Sequence, residues 1–299
     1  MTNPITVNVI EDSISQQGVR LATIHARYPR MIHSEIMTHR VFSRNARSSR
    51  AVPSVTLLSE DMYVPHFMKN MPGMQAKEEM SPLNRALAEQ VWYEMAEACT
   101  KGVKELHQLG VHKQWANRPL EWFGFIDVLI SSTDWVNFFH LRDHGDAQPE
   151  AEQLSRAVIT AMNESEPMML HSGEWHLPYV DQFERSNYDL ETQKKLSVAR
   201  CARISYKPFD GNASVEAEME RYERLVVSQP LHASPAEHQA SPDTETRIPS
   251  RRLWTKSDVA WTNPHLQGNF RGWIQYRKTL DNEAVFDAKG HHKFDLRDK

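Results

Sequence analysis

The first thirty residues contain two segments in which apolar and polar residues alternate, and these segments constrain the fold more than any other part of the sequence. Residues 4–10 and 19–26 both follow this period of two, and a turn near Ser13–Gly18 separates them. A period of two is typical of strands with one buried face, and a short connection makes neighbouring strands antiparallel. The chain is therefore predicted to begin with an antiparallel β-hairpin.

Helical spacing of apolar residues dominates the rest of the chain. The predicted helices are a short one after Pro29, a long one from Ser81 to about Gly110, and others over about 119–131, from 133 or 134, and over 150–162, 191–203, 212–228 and 269–280. One apolar face of the long helix consists of Leu83, Leu87, Val91, Met95 and Ala96. Residues 41–53 are expected to form a loop, and residues 204–206 and 244–261 to include strand. An antiparallel sheet combined with a helical bundle belongs to the α+β class.

The length and charge of the chain limit the possible functions. The 299 residues suffice for one large domain or two modest ones. We expect two regions, 1–185 and 186–299, that pack together as one unit. The chain has 35 basic and 39 acidic residues, a formal charge of −4, which argues against a protein that acts on duplex nucleic acid.

The cysteines and the N-terminus bear on the compartment. Cys99 and Cys201 are too few and too far apart for a disulfide framework or a zinc site, which favours a reducing, cytoplasmic location. The start of the chain lacks the basic and apolar segments of a signal peptide. No apolar run is long enough for a membrane span. Glycine-rich dinucleotide or Walker loops are also missing from the sequence.

The segment His39–Arg50, HRVFSRNARSSR, carries the strongest chemical signal. It places four arginines among three serines and an asparagine within twelve residues. Arginine forks bind phosphate bidentately, and hydroxyl groups complete such a cradle. A solvated basic loop is the simpler interpretation, but it does not require His, Asn and Ser at fixed steps.

This segment resembles the HRxxSxNxxSxR signature of the flavin-dependent thymidylate synthases. The matching residues are His39, Arg40, Ser43, Asn45, Ser48 and Arg50. The resemblance implies that the first four bind FAD and that Ser48 and Arg50, with the neighbouring Ser49, bind the phosphate of dUMP. Three positions differ from the family: Thr38 stands in place of Arg, Ala46 in place of Glu, and Glu35 in place of a nucleotide-binding Gln.

A second segment, Trp135–Glu150, supports the resemblance. On a helix, Asn137 and Arg142 lie close to one face. The segment is similar to the NxxNFLxLRxxxxAQ segment of the same family, with Asn137, Arg142 and Gln148 matching. By this resemblance Asn137 contacts the flavin, and Arg142 holds and polarises the pyrimidine ring as the catalytic residue.

Two further segments resemble the family but occur in an unusual order. Leu231–Ala240 is similar to HETPFEH, which makes Ser234, Glu237 and His238 expected cofactor ligands, and Ser197–Tyr206 is similar to AARVSF. In the family both precede the signature, whereas here both follow it. The chain therefore resembles a permuted member with a ThyX-like fold. The two histidines of this segment, His232 and His238, and Glu237 do not have the spacing of a usual zinc site, so we expect no metal.

Two other features were considered as sites. Cys201 lies between Arg200 and Arg203, which could activate a thiol, but a lone cysteine is more often buried packing. Asn117 and Arg118 lie in a polar segment near which the family places a nucleotide-binding arginine.

The resemblance implies reductive methylation of dUMP to dTMP by a homotetramer. FAD would be the redox cofactor, methylenetetrahydrofolate the carbon donor and NADPH the reductant. Because Ala46 replaces the signature Glu, methylation or hydroxymethylation of another pyrimidine nucleotide, such as dCMP, is the alternative. An alternative of another class is a non-catalytic nucleotide or nucleic-acid binder, which would hold no flavin.

Overall fold

The computed structural model describes residues 5–204, 214–227, 231–248, 258–281 and 283. Its central element is a five-stranded sheet with the order β3-β4-β2-β1-β5. The strands are β1 (Thr6–Ser15), β2 (Arg20–Pro29), β3 (Ser43–Ala46), β4 (Phe125–Ser132) and β5 (Met168–Leu170). Only the β1–β5 pair is parallel. The predicted hairpin is confirmed as β1 and β2, in which Ser13 pairs with Leu21 and Thr6 with Arg27.

Nine helices surround this sheet in the described part of the chain. They are α1 (His33–Met37), α2 (Ser54–Leu58), α3 (Pro82–Gln108), α4 (Lys113–Ala116), α5 (Val136–Arg142), α6 (Pro149–Glu164), α7 (Gln182–Asn187), α8 (Leu190–Ala202) and α9 (Val215–Tyr222). The α+β class is thereby confirmed. Ser214 caps α9, and a π-helical turn at Glu223–Val227 continues it, so the described part of the predicted helix 212–228 is helical from Val215 onward; residues 212–213 and 228 lie outside the described residues.

Two smaller antiparallel sheets of two strands each complete the described part of the fold. One joins β6 (Ala240–Pro242) to β9 (Trp273–Gln275), and the other joins β7 (Glu245–Ile248) to β8 (Asp258–Trp261). The second confirms the strand expected in 244–261. The helix predicted over 269–280 is wrong, because β9 and one short 3-10 turn occupy these residues. Of the strand predicted at 204–206, residues 205 and 206 lie outside the described residues.

Strands β3 and β4 also correct the prediction. The loop expected at 41–53 contains β3, and the helix expected at 119–131 is a 3-10 turn followed by β4. In β4, Ile126, Val128 and Ile130 reach one core while Leu129 points to the opposite face. A strand buried on both faces has a continuous apolar run, which periodicity alone does not distinguish from a helix.

The two faces of the sheet are covered by different regions. Helix α6 packs on one face, where its Leu154 and Val158 join Ile24 and Ile130 in the largest core. Residues 171–281 supply contacts to the opposite face, where Phe270 and Trp273 pack with Leu21. The signature strand β3 lies at one edge of the sheet, beside β4, and therefore between these two layers.

A buried chain of hydrogen bonds joins the second layer to the sheet. We call it the His176 chain, and its members are Ser13, His176, Thr23, Ser131 and His238. His176 contacts Ser13 Oγ through Nδ1 at 2.9 Å and Thr23 Oγ1 through Nε2 at 2.7 Å. Ser131 Oγ lies 2.5 Å from Thr23 Oγ1 and 2.8 Å from His238 Nδ1. All five residues are fully buried, so these bonds serve polar groups that have no access to water, and His238 Nε2 is left without a partner among the described residues.

Helix α3 confirms the predicted long helix, but most of its apolar face is exposed. Leu83, Leu87, Val91 and Met95 are each exposed by half or more, whereas Ala96 is buried. Among the residues that the structure describes, no helix has the length and apolar character needed to cross a membrane. Within the same residues, no cluster of three or more His, Cys, Asp or Glu is arranged to hold a metal ion.

Candidate active site around Arg142

Arg142 is held by three residues that are more than a hundred positions away in the sequence. Its Nη1 donates to Glu35 Oε2 at 2.8 Å, and its Nη2 donates to the Glu35 carbonyl oxygen at 3.2 Å and to Thr38 Oγ1 at 3.4 Å. Its Nε donates to His39 Nε2 at 3.2 Å. The structure therefore brings together Glu35, His39 and Arg142, all three of which were expected at the site.

The short helix α1 positions these partners. It ends at Met37, and the Thr38 hydroxyl donates to the Glu35 carbonyl oxygen at 2.6 Å, while His39 N donates to the Ile36 carbonyl oxygen. These bonds tighten the last turn, so that Glu35, Thr38 and His39 all reach Arg142. Helix α5 begins after the buried Trp135 and ends at Arg142, which places the guanidinium at the helix terminus.

The His39 ring is packed as well as hydrogen-bonded. It stacks on Phe42 at a centroid distance of 5.5 Å and meets the edge of Phe138 at 5.1 Å. Burial, with the nearby Arg142 and Arg44 charges, lowers the pKa of His39. The neutral imidazole that results can accept the Arg142 Nε proton at Nε2.

Arg142 keeps donor capacity for a ligand. A guanidinium has five N–H donors, and the contacts with Glu35, Thr38 and His39 use four of them. The Arg142 side chain is 17% exposed and that of Glu35 is 30% exposed, so the ion pair is partly accessible. A polar ligand can therefore accept from Arg142 and also contact the Glu35 carboxylate.

An open groove of about 1170 Å³ adjoins this ion pair. Arg142 and Glu35 lie in its wall, and the segments 65–68, 74–77 and 144–150 line the rest. Gln75 Nε2 donates to the Asp146 carbonyl oxygen at 3.0 Å, and Lys77 pairs with the Asp146 carboxylate at 3.4 Å. The volume exceeds the few hundred cubic ångströms that a small-molecule site usually requires.

The signature residues Ser43 and Asn45 point away from this groove toward residues 171–281. Ser43 Oγ donates to Asn269 Oδ1 at 3.1 Å and accepts from Gln275 Nε2 at 3.2 Å. Asn45 Nδ2 donates to the Cys201 carbonyl oxygen at 2.6 Å. Both side chains are buried, and the chain itself satisfies them.

The expected ligands near residue 234 lie on the same side of β3. Ser234 is exposed, and its hydroxyl donates a long 3.5 Å bond to Asn45 Oδ1. Glu237 forms an ion pair with Arg277. His238 is fully buried on Ser131, and burial lowers its pKa to about 3. Cys201 and Ser234 therefore contact the signature strand although they lie 156 and 189 positions from Asn45 in the sequence.

The other expected residues differ in accessibility. Arg40, Arg50 and Asn137 are exposed, and Ser48 is half-buried. Ser49 is buried and donates its hydroxyl to Glu121. The structure thus leaves the arginines and Asn137 open to a ligand, while Ser49 is already bonded.

Asn117 organises the end of the signature segment. It is fully buried, and its Nδ2 donates to the carbonyl oxygens of Ser49 and Val52 at 2.9 and 3.0 Å, while its Oδ1 accepts from Ser54 Oγ. Arg118 instead lies at the surface, paired with Glu121. Asn117 therefore holds the loop that carries Ser48 and Arg50, a role that its sequence context alone did not reveal.

The structure argues against Cys201 as a nucleophile. Its thiol is fully buried and accepts a hydrogen bond from Gln239 Nε2 at 3.4 Å. Burial raises the pKa of the Cys201 thiol far above its usual range. The thiol therefore stays protonated and acts as packing, because only the thiolate is an effective nucleophile.

The fold and this geometry define an α+β protein with a charge-compensated arginine at the wall of an open groove. Residues 20–168, which contain the whole groove and every residue that holds Arg142, match the family model described as thymidylate synthase complementing protein. This region of the chain belongs to that family, the flavin-dependent thymidylate synthases, and the resemblance of its motifs is confirmed. Residues 169–299 lie outside the match.

Comparisons with individual proteins are more distant. No curated protein matches the chain. Among solved structures, the chain is similar to the crystal structure of a UMP/dUMP methylase, PolB from Streptomyces cacaoi, bound with 5-Br UMP. The two share 16% sequence identity with a TM-score of 0.46, and the similarity covers 55% of this chain and 90% of that chain.

Proposed function

We propose that this chain is an enzyme that methylates C5 of a pyrimidine deoxynucleotide monophosphate, with dUMP as the first substrate and dTMP as its product. The observation that carries the proposal is the position of Arg142, fixed by Glu35, Thr38 and His39 at the wall of a groove large enough for a nucleotide. Membership of residues 20–168 in the family supports the same reaction.

The flavin would be held by residues that keep their polar groups accessible. Arg40, Asn137 and Ser234 are exposed, and their donors suit the phosphates and ring edge of FAD. Ser43, Asn45 and Glu237 fit less well, because the chain already bonds them, and His238 fits less well because its ring is fully buried. When bound, FAD supplies redox chemistry, with methylenetetrahydrofolate as the carbon source and NADPH as the reductant.

The residues of the chain would orient and polarise the nucleotide. Arg142 would donate its remaining N–H to a ring carbonyl oxygen and stabilise negative charge as C5 becomes nucleophilic. His39 would keep Nε of Arg142 engaged, so that the guanidinium does not rotate. Ser48 and Arg50 would bind the 5′-phosphate, on a loop that Asn117 holds in place.

A second substrate, dCMP, is favoured by one specific contact. Glu35 places a carboxylate beside Arg142, and a carboxylate accepts hydrogen bonds from the exocyclic amine of cytosine but repels the carbonyl oxygen of uracil. Ala46 lacks the carboxylate that the family carries at this position. A pyrimidine other than uracil and a hydroxymethyl product therefore remain alternatives.

The variant Glu35→Gln separates the two substrates. An amide both donates and accepts, so we expect this variant to gain affinity for dUMP relative to dCMP by about tenfold, the value of one well-placed hydrogen bond of roughly 1.4 kcal/mol. Equilibrium dialysis with each nucleotide measures the ratio. An unchanged ratio would show that Glu35 does not contact the base.

The flavin itself is tested by the visible spectrum. The purified protein, incubated with FAD and passed through a desalting column, should retain flavin absorbance, and Arg40→Ala should lose it. A colourless protein that binds nucleic acid with steep salt dependence would instead support the non-catalytic binder.

We also propose that the enzyme is a homotetramer.

A further inference from the structure

The end of the signature segment alternates between residues that face outward and residues that face inward. Arg50 is exposed and Ser48 is half-buried, whereas Ser49 is buried and the Arg47 side chain is only 17% exposed. The segment 47–50 therefore presents one side to a ligand and uses the other side to attach itself to the protein. The groups that hold Arg47 and Ser49 fix the position of the two outward residues.

Three donors from different parts of the chain converge on one oxygen of Glu121. Its Oε1 accepts from the Ser49 hydroxyl and from Arg118 Nη1 at 2.9 Å, and it pairs with Arg30 Nη2 at 3.0 Å. The Glu121 side chain is 22% exposed and that of Arg30 is 19% exposed, so both charges are largely removed from water. We call Glu121, Arg30 and Ser49 the Glu121 cluster.

Arg30 holds the signature segment a second time and links it to helix α1. Its Nη1 donates to the Arg47 carbonyl oxygen over a long 3.5 Å. Arg30 also begins the 3-10 turn Arg30–Ile32, which leads directly into α1, the helix that carries Glu35. The cluster therefore joins the end of the signature segment to the start of the element that positions Arg142.

Packing alone does not hold the segment 47–50, because a pocket of about 130 Å³ lies behind it. Arg30, Arg47, Ser49, Asn117 and Glu121 all lie in the wall of this pocket. Protein interiors are normally close-packed, so a space of this size removes contacts that would otherwise fix the segment. Its position therefore depends on polar contacts, those of the Glu121 cluster and those of Asn117 to the backbone.

A purely stabilising role does not explain this arrangement. Removing a carboxylate and a guanidinium from water costs free energy that their attraction barely offsets, so such a pair is weak evidence for stability. Apolar side chains that filled the pocket would stabilise the fold at least as well. A carboxylate oxygen that holds three donors at fixed places is instead suited to orienting the groups attached to it.

We propose that Glu121 is a positioning residue for the 5′-phosphate of the nucleotide. Its bond to the Ser49 hydroxyl keeps the neighbouring Ser48 and Arg50 turned outward, where they bind the phosphate. This inference rests on the proposed function, which assigns the phosphate to these two residues. Glu121 does not touch the phosphate itself, because like charges repel. Arg30 keeps the carboxylate in place.

Comparing a nucleotide with its nucleoside tests this role. dUMP and deoxyuridine differ only in the phosphate, so the ratio of their dissociation constants isolates what the phosphate contributes. Equilibrium dialysis with the FAD-loaded full chain measures this ratio. Glu121→Ala should weaken dUMP binding by about tenfold, the effect of losing one charge-assisted hydrogen bond, and should leave deoxyuridine binding within about twofold of wild type.

Further variants separate positioning from folding. Glu121→Gln keeps an oxygen that can accept from Ser49, so its ratio should lie between those of wild type and Glu121→Ala. Ser49→Ala should weaken dUMP binding selectively, and combining it with Glu121→Ala should cause no further loss, because both changes remove the same contact. Glu105→Ala, an exposed glutamate paired with Lys101 on α3, is the matched control and should keep the wild-type ratio.

Arg50→Ala distinguishes failure of this inference from failure of the phosphate assignment. If Arg50→Ala loses the preference for dUMP while Glu121→Ala keeps it, the inference is overturned and the assignment stands. If wild type binds both compounds equally, or if Arg50→Ala keeps the wild-type ratio, the assignment fails and the inference fails with it. Equal weakening of both compounds in Glu121→Ala would show a general structural role, which also overturns the inference.

Discussion

The Arg142 groove and the opposite side of the sheet use polar residues in different ways. Around Arg142, the polar groups are partly exposed and one guanidinium N–H remains available. On the opposite face, the side chains of Ser43, Asn45 and the His176 chain are buried, and each makes hydrogen bonds within the protein, although His238 Nε2 has no partner among the described residues. One signature segment therefore has two roles. Its first residue, His39, bonds Arg142, and its strand β3 bonds described residues of the region after residue 171.

The largest expected effect is a loss of catalytic activity on changing Arg142 in the groove. Replacing Arg142 with Ala should lower kcat/KM for the nucleotide by about 10²–10³-fold, because a preorganised donor to the developing charge is lost. Steady-state assays with labelled nucleotide measure this. Arg156→Ala is the matched control, since Arg156 is a surface arginine paired with Asp143, and it should retain full activity. Equal losses in both variants would remove Arg142 from the mechanism.

The next effect concerns the buried side. His176→Phe removes the hydrogen-bond partner of Ser13 and one partner of Thr23, and should lower the free energy of unfolding by roughly 2–4 kcal/mol. Urea denaturation measures the loss. His144→Asn, at the exposed groove side, should change the stability by less than about 0.5 kcal/mol. If His176→Phe has wild-type stability, the hydrogen bonds of the His176 chain do not stabilise the fold.

The same contrast predicts acid sensitivity. Burial holds the pKa of His176 well below 6.5 and that of His238 at about 3. The unfolded chain binds protons at these histidines near pH 6.5 and the folded chain does not, so their contribution to stability is complete above that pH and is lost as the pH falls. The loss should be roughly 1.4 kcal/mol per pH unit for each histidine. Urea midpoints between pH 7 and pH 5 test this, and a midpoint independent of pH would disprove it.

The smallest effect tests how Arg142 is oriented. Thr38→Val removes the hydroxyl that bonds Glu35 and Arg142, and should reduce kcat/KM by about threefold to tenfold, the value of one hydrogen bond of roughly 1 kcal/mol. Thr38→Ser keeps the hydroxyl and should behave as wild type. If Thr38→Ser is as slow as Thr38→Val, the Thr38 hydroxyl does not determine kcat/KM.

Particular residues show how far the sequence predicts this structure. The alternation in β1 and β2 was sufficient for the hairpin, because a half-buried strand has a clear period. In β4, burial on both faces removed that period, and in β3 the residues Ser43–Ala46 contain no apolar run at all. Periodicity identified the apolar face of α3, but not that this face would remain exposed.

The site was predictable only in part, for a related reason. Resemblance to a family located Glu35, His39 and Arg142, but local spacing carries no information on contacts across a hundred residues. Thr38 was noted as a difference, and the structure shows it as a partner of Arg142. The bonds of Asn269 and Gln275 to Ser43 depend on how residues 171–281 fold over β3, which no local pattern encodes.

The most direct test of the proposed function is product formation. The protein is incubated with FAD, NADPH, isotopically labelled methylenetetrahydrofolate and either dUMP or dCMP, and the nucleotide is analysed by mass spectrometry. We predict a nucleotide labelled in a C5 methyl group, formed by wild type and Arg156→Ala but not by Arg142→Ala. Flavin-loaded protein that yields no labelled nucleotide from either substrate would contradict the proposed function.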